Sequence, residues 1–156
     1  MISIISLLSS VVMAGLNNAK IKARDAKRQA DMEQIYKALN LFYDTYGCLP
    51  FQTSTACGNA VTNVDIGGWD YSSQGGSFLP FLVSAGYFTT VPVDPVNNMT
   101  GNSTPAGTFA YRYYCYVTGQ SAVGLHLGYW SERTGGYILK NVINDANWAD
   151  NTFLCK

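Results

Sequence analysis

The sequence predicts an α+β fold, in which one long N-terminal α-helix packs against a small antiparallel β-sheet whose long loops are stapled by disulfides. Three observations predict it. A helical pattern about 46 residues long opens the chain and stops at Gly47-Cys48-Leu49-Pro50. Beyond residue 108, an alternating aromatic run is followed by a second strand-like stretch, a glycine turn and a return strand. All four cysteines lie beyond the helix, and none forms a Cys-x-x-Cys pair.

The helix changes character twice. Met1 to Leu16 is apolar with four interspersed serines, and Asn17 to Arg28 is polar and basic. Met32, Ile35, Leu39, Phe42 and Tyr46 then repeat at spacings of three and four, the mark of a buried helix face. A second stripe, Leu16, Ala19, Ala23, Ala26 and Ala30, falls nearly opposite at about 100° per residue, and its small side chains suit the close approach of another helix. The apolar opening is shorter than the roughly 20 residues that span a bilayer, and no basic region precedes Ile2 as a signal peptide would require. It reads as a hydrophobic helix whose beginning is missing. The expected organisation is a protruding hydrophobic and basic helix over residues 1–30 and a globular head over residues 31–156.

Charge sharpens the division. Residues 1–28 carry Lys20, Lys22, Arg24, Lys27 and Arg28 against Asp25, a net +4, and the remainder of this formally neutral chain is net −4. A basic collar after an apolar helix reads either as the edge of a membrane segment that grips lipid phosphates or as a solvated stalk. The stalk would be laced by the pairs Lys27–Asp31 and Glu33–Lys37. Cys48, Cys57, Cys115 and Cys155, with a single histidine, do not make a zinc set, so disulfides in an oxidising compartment are expected. Four cysteines admit three pairings. Cys48–Cys57 would close a local loop after the helix, and Cys115–Cys155 would staple the C-terminus to a strand; this pairing is preferred.

Within the head, residues 51–63 are rich in Thr, Ser, Gly and Asn. Ser77 to Ala85 predicts a short helix with Ser77 as its cap, Pro80 in the first turn and Gly86 at its end. Val91-Pro92-Val93-Asp94-Pro95 is expected to be extended, because each proline biases its predecessor away from helix. Phe109 to Val117 predicts a strand with Phe109, Tyr111, Tyr113, Cys115 and Val117 on one face. A second strand follows over about 124–130, then a turn at Arg133-Thr134-Gly135-Gly136 and a return strand over 137–142.

No catalytic constellation emerges. His126 alternates with Leu125 and Leu127 in a strand and reads as structural or solvent-facing. The glycine pairs 67–68, 75–76 and 135–136 lack phosphate-loop spacing and read as turns. Asp94 is expected to cap its local turn. Tyr111, Tyr113, Tyr114, Tyr116, Tyr129 and Trp130 read first as packing and second as a stacking surface for sugars or single strands. The negative head argues against nucleic-acid binding, which draws on several phosphate contacts. No enzyme activity, metal or cofactor is expected. Two glycosylation-type tripeptides, at 98–100 and 102–104, carry no argument alone.

With these elements placed, the chain resembles the type IV pilin and type II secretion pseudopilin family over most of its length. The resemblance rests on Ile2–Leu16 running into the polar stretch Asn17–Arg28, and on the amphipathic half-helix ending Tyr43-Asp44-Thr45-Tyr46-Gly47-Cys48-Leu49-Pro50. It rests also on Ala85-Gly86-Tyr87-Phe88-Thr89-Thr90-Val91-Pro92-Val93-Asp94-Pro95, similar to the family's passage into an aromatic strand. A Cys115–Cys155 bond would resemble the C-terminal loop of many pilins. The resemblance implies a non-enzymatic subunit of a cell-surface filament, held in the inner membrane before assembly and handled by a pilus assembly machinery. Its assembly helix would present Ile4, Ile5, Leu8, Val12, Leu16, Ala19, Ala23, Ala26 and Ala30 to neighbouring copies. Alternatives within the resemblance are a secretion pseudopilin and an adhesive, glycan-binding minor pilin. The family's leader, its Phe-Thr-Leu-Ile-Glu type start and its aspartate-rich calcium loop are not matched, Asn144, Asp145 and Asp150 being a faint echo of the last. The polypeptide as it stands is therefore not expected to assemble alone.

Overall fold

The computed structural model describes residues 2–50, 57, 69–74, 78–99, 107–116, 124–140 and 155. For several helix residues before Gly15, Ile4 and Ile5 among them, only the backbone is described. Helix α1 runs unbroken over Ile2–Tyr46, about 68 Å at 1.5 Å per residue. It ends where expected: Gly47 takes a positive φ of 70°, open to glycine at little cost, and donates its N–H to Tyr43 O at 2.7 Å.

The sheet is a four-stranded antiparallel meander in the order β1 (Asp70–Tyr71), β2 (Tyr111–Tyr116), β3 (Gly124–Ser131) and β4 (Gly136–Leu139). The register pairs Tyr111 with Tyr129, Tyr113 with Leu127 and Cys115 with Leu125, and these six side chains pack in the main core. Met32, Ile35, Leu39 and Phe42 of α1 meet them there. Each large apolar side chain so buried contributes about 1.5–3 kcal/mol, so these four helix residues anchor the head with roughly 10 kcal/mol before the entropy of ordering is set against it. Tyr46 departs from the expected stripe. It is 43% exposed, with its ring 4.4 Å from that of Phe42.

Short helix α2 spans Pro80–Ser84 and packs on α1 through Phe81, whose ring lies 4.9 Å from Phe42. The expected cap Ser77 lies outside the described residues. The position before the helix is instead Leu79, in a left-handed conformation and fully buried, with its N–H donated to Asp70 Oδ2 at 2.9 Å. Strand β1 escapes sequence analysis because it is only two residues long. It has a definite role, since it places the Asp70 carboxylate under α2.

Both preferred disulfides are present, with Cα–Cα distances of 5.9 Å for Cys48–Cys57 and 5.5 Å for Cys115–Cys155. Leu49 forms a parallel bridge to Cys155, so the two disulfides meet where α1 ends, and all four cysteines sit in the main core. The glycine pairs 67–68 and 75–76, Val117, Asn144, Asp145 and Asp150 fall outside the described residues.

A projecting helix and the charged clasp that holds it

The described side chains from Leu8 to Lys20 are all exposed. Leu8 is 61% exposed, Val12 68%, Met13 65% and Leu16 50%, an apolar surface that nothing in this chain covers among the described residues. Ala19, Ala23, Ala26 and Ala30 are exposed too, so the small-residue stripe faces away from the head's core.

The head takes hold of the helix earlier than the boundary expected at residue 30. Arg28 is fully buried and is the hub of the hold. Its Nε and Nη2 donate to the two oxygens of Asp94 at 2.7 and 3.0 Å, a bidentate pair. Its Nη1 donates to Asp25 Oδ1 and to Glu132 Oε1, both at 2.7 Å. Its guanidinium carbon lies 4.8 Å from the centre of the Phe109 ring. One turn earlier, Arg24 Nε donates to Glu132 Oε1 at 2.7 Å, and a second guanidinium nitrogen meets the other oxygen. Asp25 completes the arrangement by ordering the turn between β3 and β4. It accepts from Ser131 Oγ at 2.6 Å and from the backbone N–H groups of Glu132 and Arg133 at 3.2 and 3.0 Å.

The basic collar is therefore split in two. Arg24 and Arg28 bind head carboxylates, and Lys27 pairs with Asp31 as the helix spacing predicts. Asp31 also accepts from the Tyr111 hydroxyl at 2.6 Å. Glu33 reaches across to Lys140 rather than along the helix to Lys37. Lys20 and Lys22 remain on exposed helix.

The ionisation of these groups follows from their partners. Burial works to raise the Asp25 pKa, but hydrogen bonds from Ser131, the Arg133 backbone and Arg28 outweigh it and hold the carboxyl below its ordinary range. The hydrogen bond from Arg24, against burial and helped by Arg28, depresses Glu132 likewise. Burial alone would lower the Arg28 pKa; bonds to Asp94, Glu132 and Asp25 reverse that and raise it. Asp25, Glu132 and Arg28 are thus charged at neutral pH.

Asp94 caps its turn as expected, its Oδ1 accepting the N–H of Val96 at 2.9 Å, while serving Arg28 with both oxygens. This second role was not among those expected of Asp94. A signal was present: the buried stripe, extended back four residues from Met32, lands on Arg28. A cation on a buried face calls for carboxylates from elsewhere in the chain.

Most of the remaining candidates are packed into the head. Tyr111, Tyr113, Tyr114 and Tyr129 are buried, and Tyr116 and Trp130 are half-buried, so no broad aromatic surface is exposed by this set. His126 is buried between rings, 4.6 Å from Trp69 and 5.5 Å from Tyr137. Among the described residues no group of His, Cys, Asp and Glu could hold a metal ion, and no helix is long and apolar enough to cross a membrane. Two clefts of about 240 and 360 Å³ run beside α1, sharing Gln29, Tyr129, Arg133 and Ile138. No family model, curated protein or solved structure matches the chain.

Proposed function

We propose that this chain is a structural, non-enzymatic subunit of a pilus-like cell-surface filament, assembled through its N-terminal helix. The observation that carries the proposal is the contrast along α1. Leu8, Val12, Met13 and Leu16 are each at least half exposed, whereas Arg28 is locked into the head. An isolated helix with that much apolar surface is costly in water, at about 25 cal/mol per Å². Lipid before assembly and the helices of other copies afterwards would each cover it. Small residues at 19, 23, 26 and 30 allow a close helix approach, which is what favours association once lipid tails are the alternative solvent. The two disulfides suit an extracellular head. A secretion pseudopilus would use the same surface.

The test is site-specific photo-cross-linking in cells that make the protein. A photoreactive residue at Val12 is expected to trap a ladder of multiples of this chain, and one at exposed Leu41 on the head part of the helix is expected to give far less. Cross-links from Val12 that capture only other proteins, with no homotypic product, would refute the filament reading.

A further inference from the structure

The outer face of the sheet, turned away from α1, holds a cation of a different kind from those in the clasp. Register places Tyr71 opposite Arg112, Arg112 opposite Gly128, and Trp130 opposite Tyr137, with the Arg112 and Trp130 side chains on that face. The Arg112 guanidinium carbon lies 4.5 Å from the centre of the Tyr137 ring and 5.6 Å from that of Tyr71. Gly128 is what lets the Tyr137 ring lie across β3: a Cβ there would fall 2.5 Å from Ile138 O and 2.7 Å from the Tyr137 hydroxyl. Arg112, Trp130 and Tyr137 are each half-buried and each reach solvent. Arg24 and Arg28 both grip carboxylates. Arg112 meets no carboxylate and makes no side-chain hydrogen bond among the described residues; its neighbours are rings.

We infer that Arg112, framed by Tyr137 and Tyr71, is a recognition site for an acidic sugar residue, a hexuronate in a saccharide chain. Its fork of N–H donors matches a carboxylate bidentately, and the flanking rings keep the fork in place without consuming the charge. The half-buried Tyr137 ring beside it, with half-buried Trp130 on the same face, offers apolar surface to the C–H face of a sugar ring. A single cation among rings on a head of net negative charge favours one carboxylate at a time over a polyphosphate backbone, whose binding needs several cations. The inference concerns the head alone and does not depend on the filament reading.

The experiment is a titration of the full chain with trigalacturonate, followed by calorimetry and by the arginine Nε–H signals in NMR spectra. Maltotriose, sodium sulfate and acetate serve as comparison ligands. Trigalacturonate is expected to bind, to shift the Arg112 Nε–H signal, and to bind at least about tenfold more weakly to Arg112→Gln, the loss expected for a charged hydrogen-bond pair. Should Arg112→Gln fail to fold, the wild-type Nε–H signal decides alone. Absence of binding at millimolar saccharide, binding that leaves the Arg112 signal unmoved, or equal binding of sulfate, acetate or maltotriose would each overturn the inference.

Discussion

Replacing Arg28 with methionine tests the clasp most directly, because the two side chains have comparable length and differ mainly in charge and donors. Arg28 is fully buried and directs hydrogen bonds to Asp94, Asp25 and Glu132. Methionine leaves these three acids facing one another without their shared cation. Removing one partner of a buried ion pair costs about 3–5 kcal/mol. The upper half of that range is expected here, because Asp94 at 0% side-chain exposure cannot turn to water. Arg24 still serves Glu132, and Ser131 with two backbone N–H groups still serves Asp25, which keeps the loss from growing further. At about 2–4 °C per kcal/mol for a domain of this size, the melting midpoint should fall by about 10 °C or more. Arg28→Lys keeps the charge but loses the bidentate geometry, and should fall between the variant and the parent. Thermal and urea unfolding at neutral pH, read by circular dichroism, measure both. The double change Arg28→Met with Asp94→Asn should recover much of the loss by removing the stranded charge. A loss below about 1 kcal/mol for Arg28→Met, or no recovery in the double variant, would refute the assignment of the clasp as the buried electrostatic hub.

Three further outcomes follow from other parts of the structure. Burial raises the Asp70 carboxyl to about 7, and its Oδ1 has no hydrogen-bond partner among the described residues. A carboxyl raised in the folded state contributes stability that is complete below its ordinary value near 3.8 and is lost as pH rises through about 7. Wild-type should therefore lose up to about 4 kcal/mol between pH 4 and 8 in urea melts, and Asp70→Asn should flatten that slope. Below pH 4 the direction reverses, because Asp25 and Glu132 are held low by their partners and lose their contribution as they protonate. Replacing Cys115 and Cys155 together by serine opens a closure of 40 residues and should cost about 4 kcal/mol in the same assay, against about 3 for Cys48 and Cys57, which close 9. Gly128→Ala should destabilise the head and move the Tyr137 ring, visible as changed aromatic side-chain NMR shifts, since its new methyl group meets backbone oxygen at 2.5 Å.

The long periodic elements were legible in the sequence because one period governs each. A spacing of three and four residues marks Met32, Ile35, Leu39 and Phe42, and alternation marks Tyr111, Tyr113 and Cys115; all are buried as that patterning requires. The stop at Gly47 and both disulfides were legible for local reasons, a helix-terminating glycine in one case and the preferred pairing of four cysteines in the other. What escaped was set by contacts between distant segments. The two residues of β1 carry no period, and the left-handed Leu79 is held by Asp70 rather than by a cap of its own. Asp94 and Glu132 stand 66 and 104 positions from Arg28, so no window along the chain joins them. Sequence order likewise cannot show which cations of the collar turn inward.

The clasp supplies something the apolar core cannot. Burial of Ile35, Leu39 and Phe42 is strong but weakly directional, and similar area could be buried with the helix turned or shifted a little. A one-residue slip rotates a helix face by about 100°. It would carry Arg28 away from Asp94 and Glu132, which reach it from the stretch before β2 and from the β3–β4 turn, and would strand acids that burial makes expensive to leave unpaired. Directional pairs from two separate head segments therefore fix the rotational phase of the helix against the head. Under the filament role proposed above, phase is what the subunit would have to control: with Arg28 held, the angle at which Ala19, Ala23, Ala26 and Ala30 point away from the head is held too. Successive copies packing through that face would then all display their heads at one angle. A freely turning helix would bury the same apolar area yet specify no lattice.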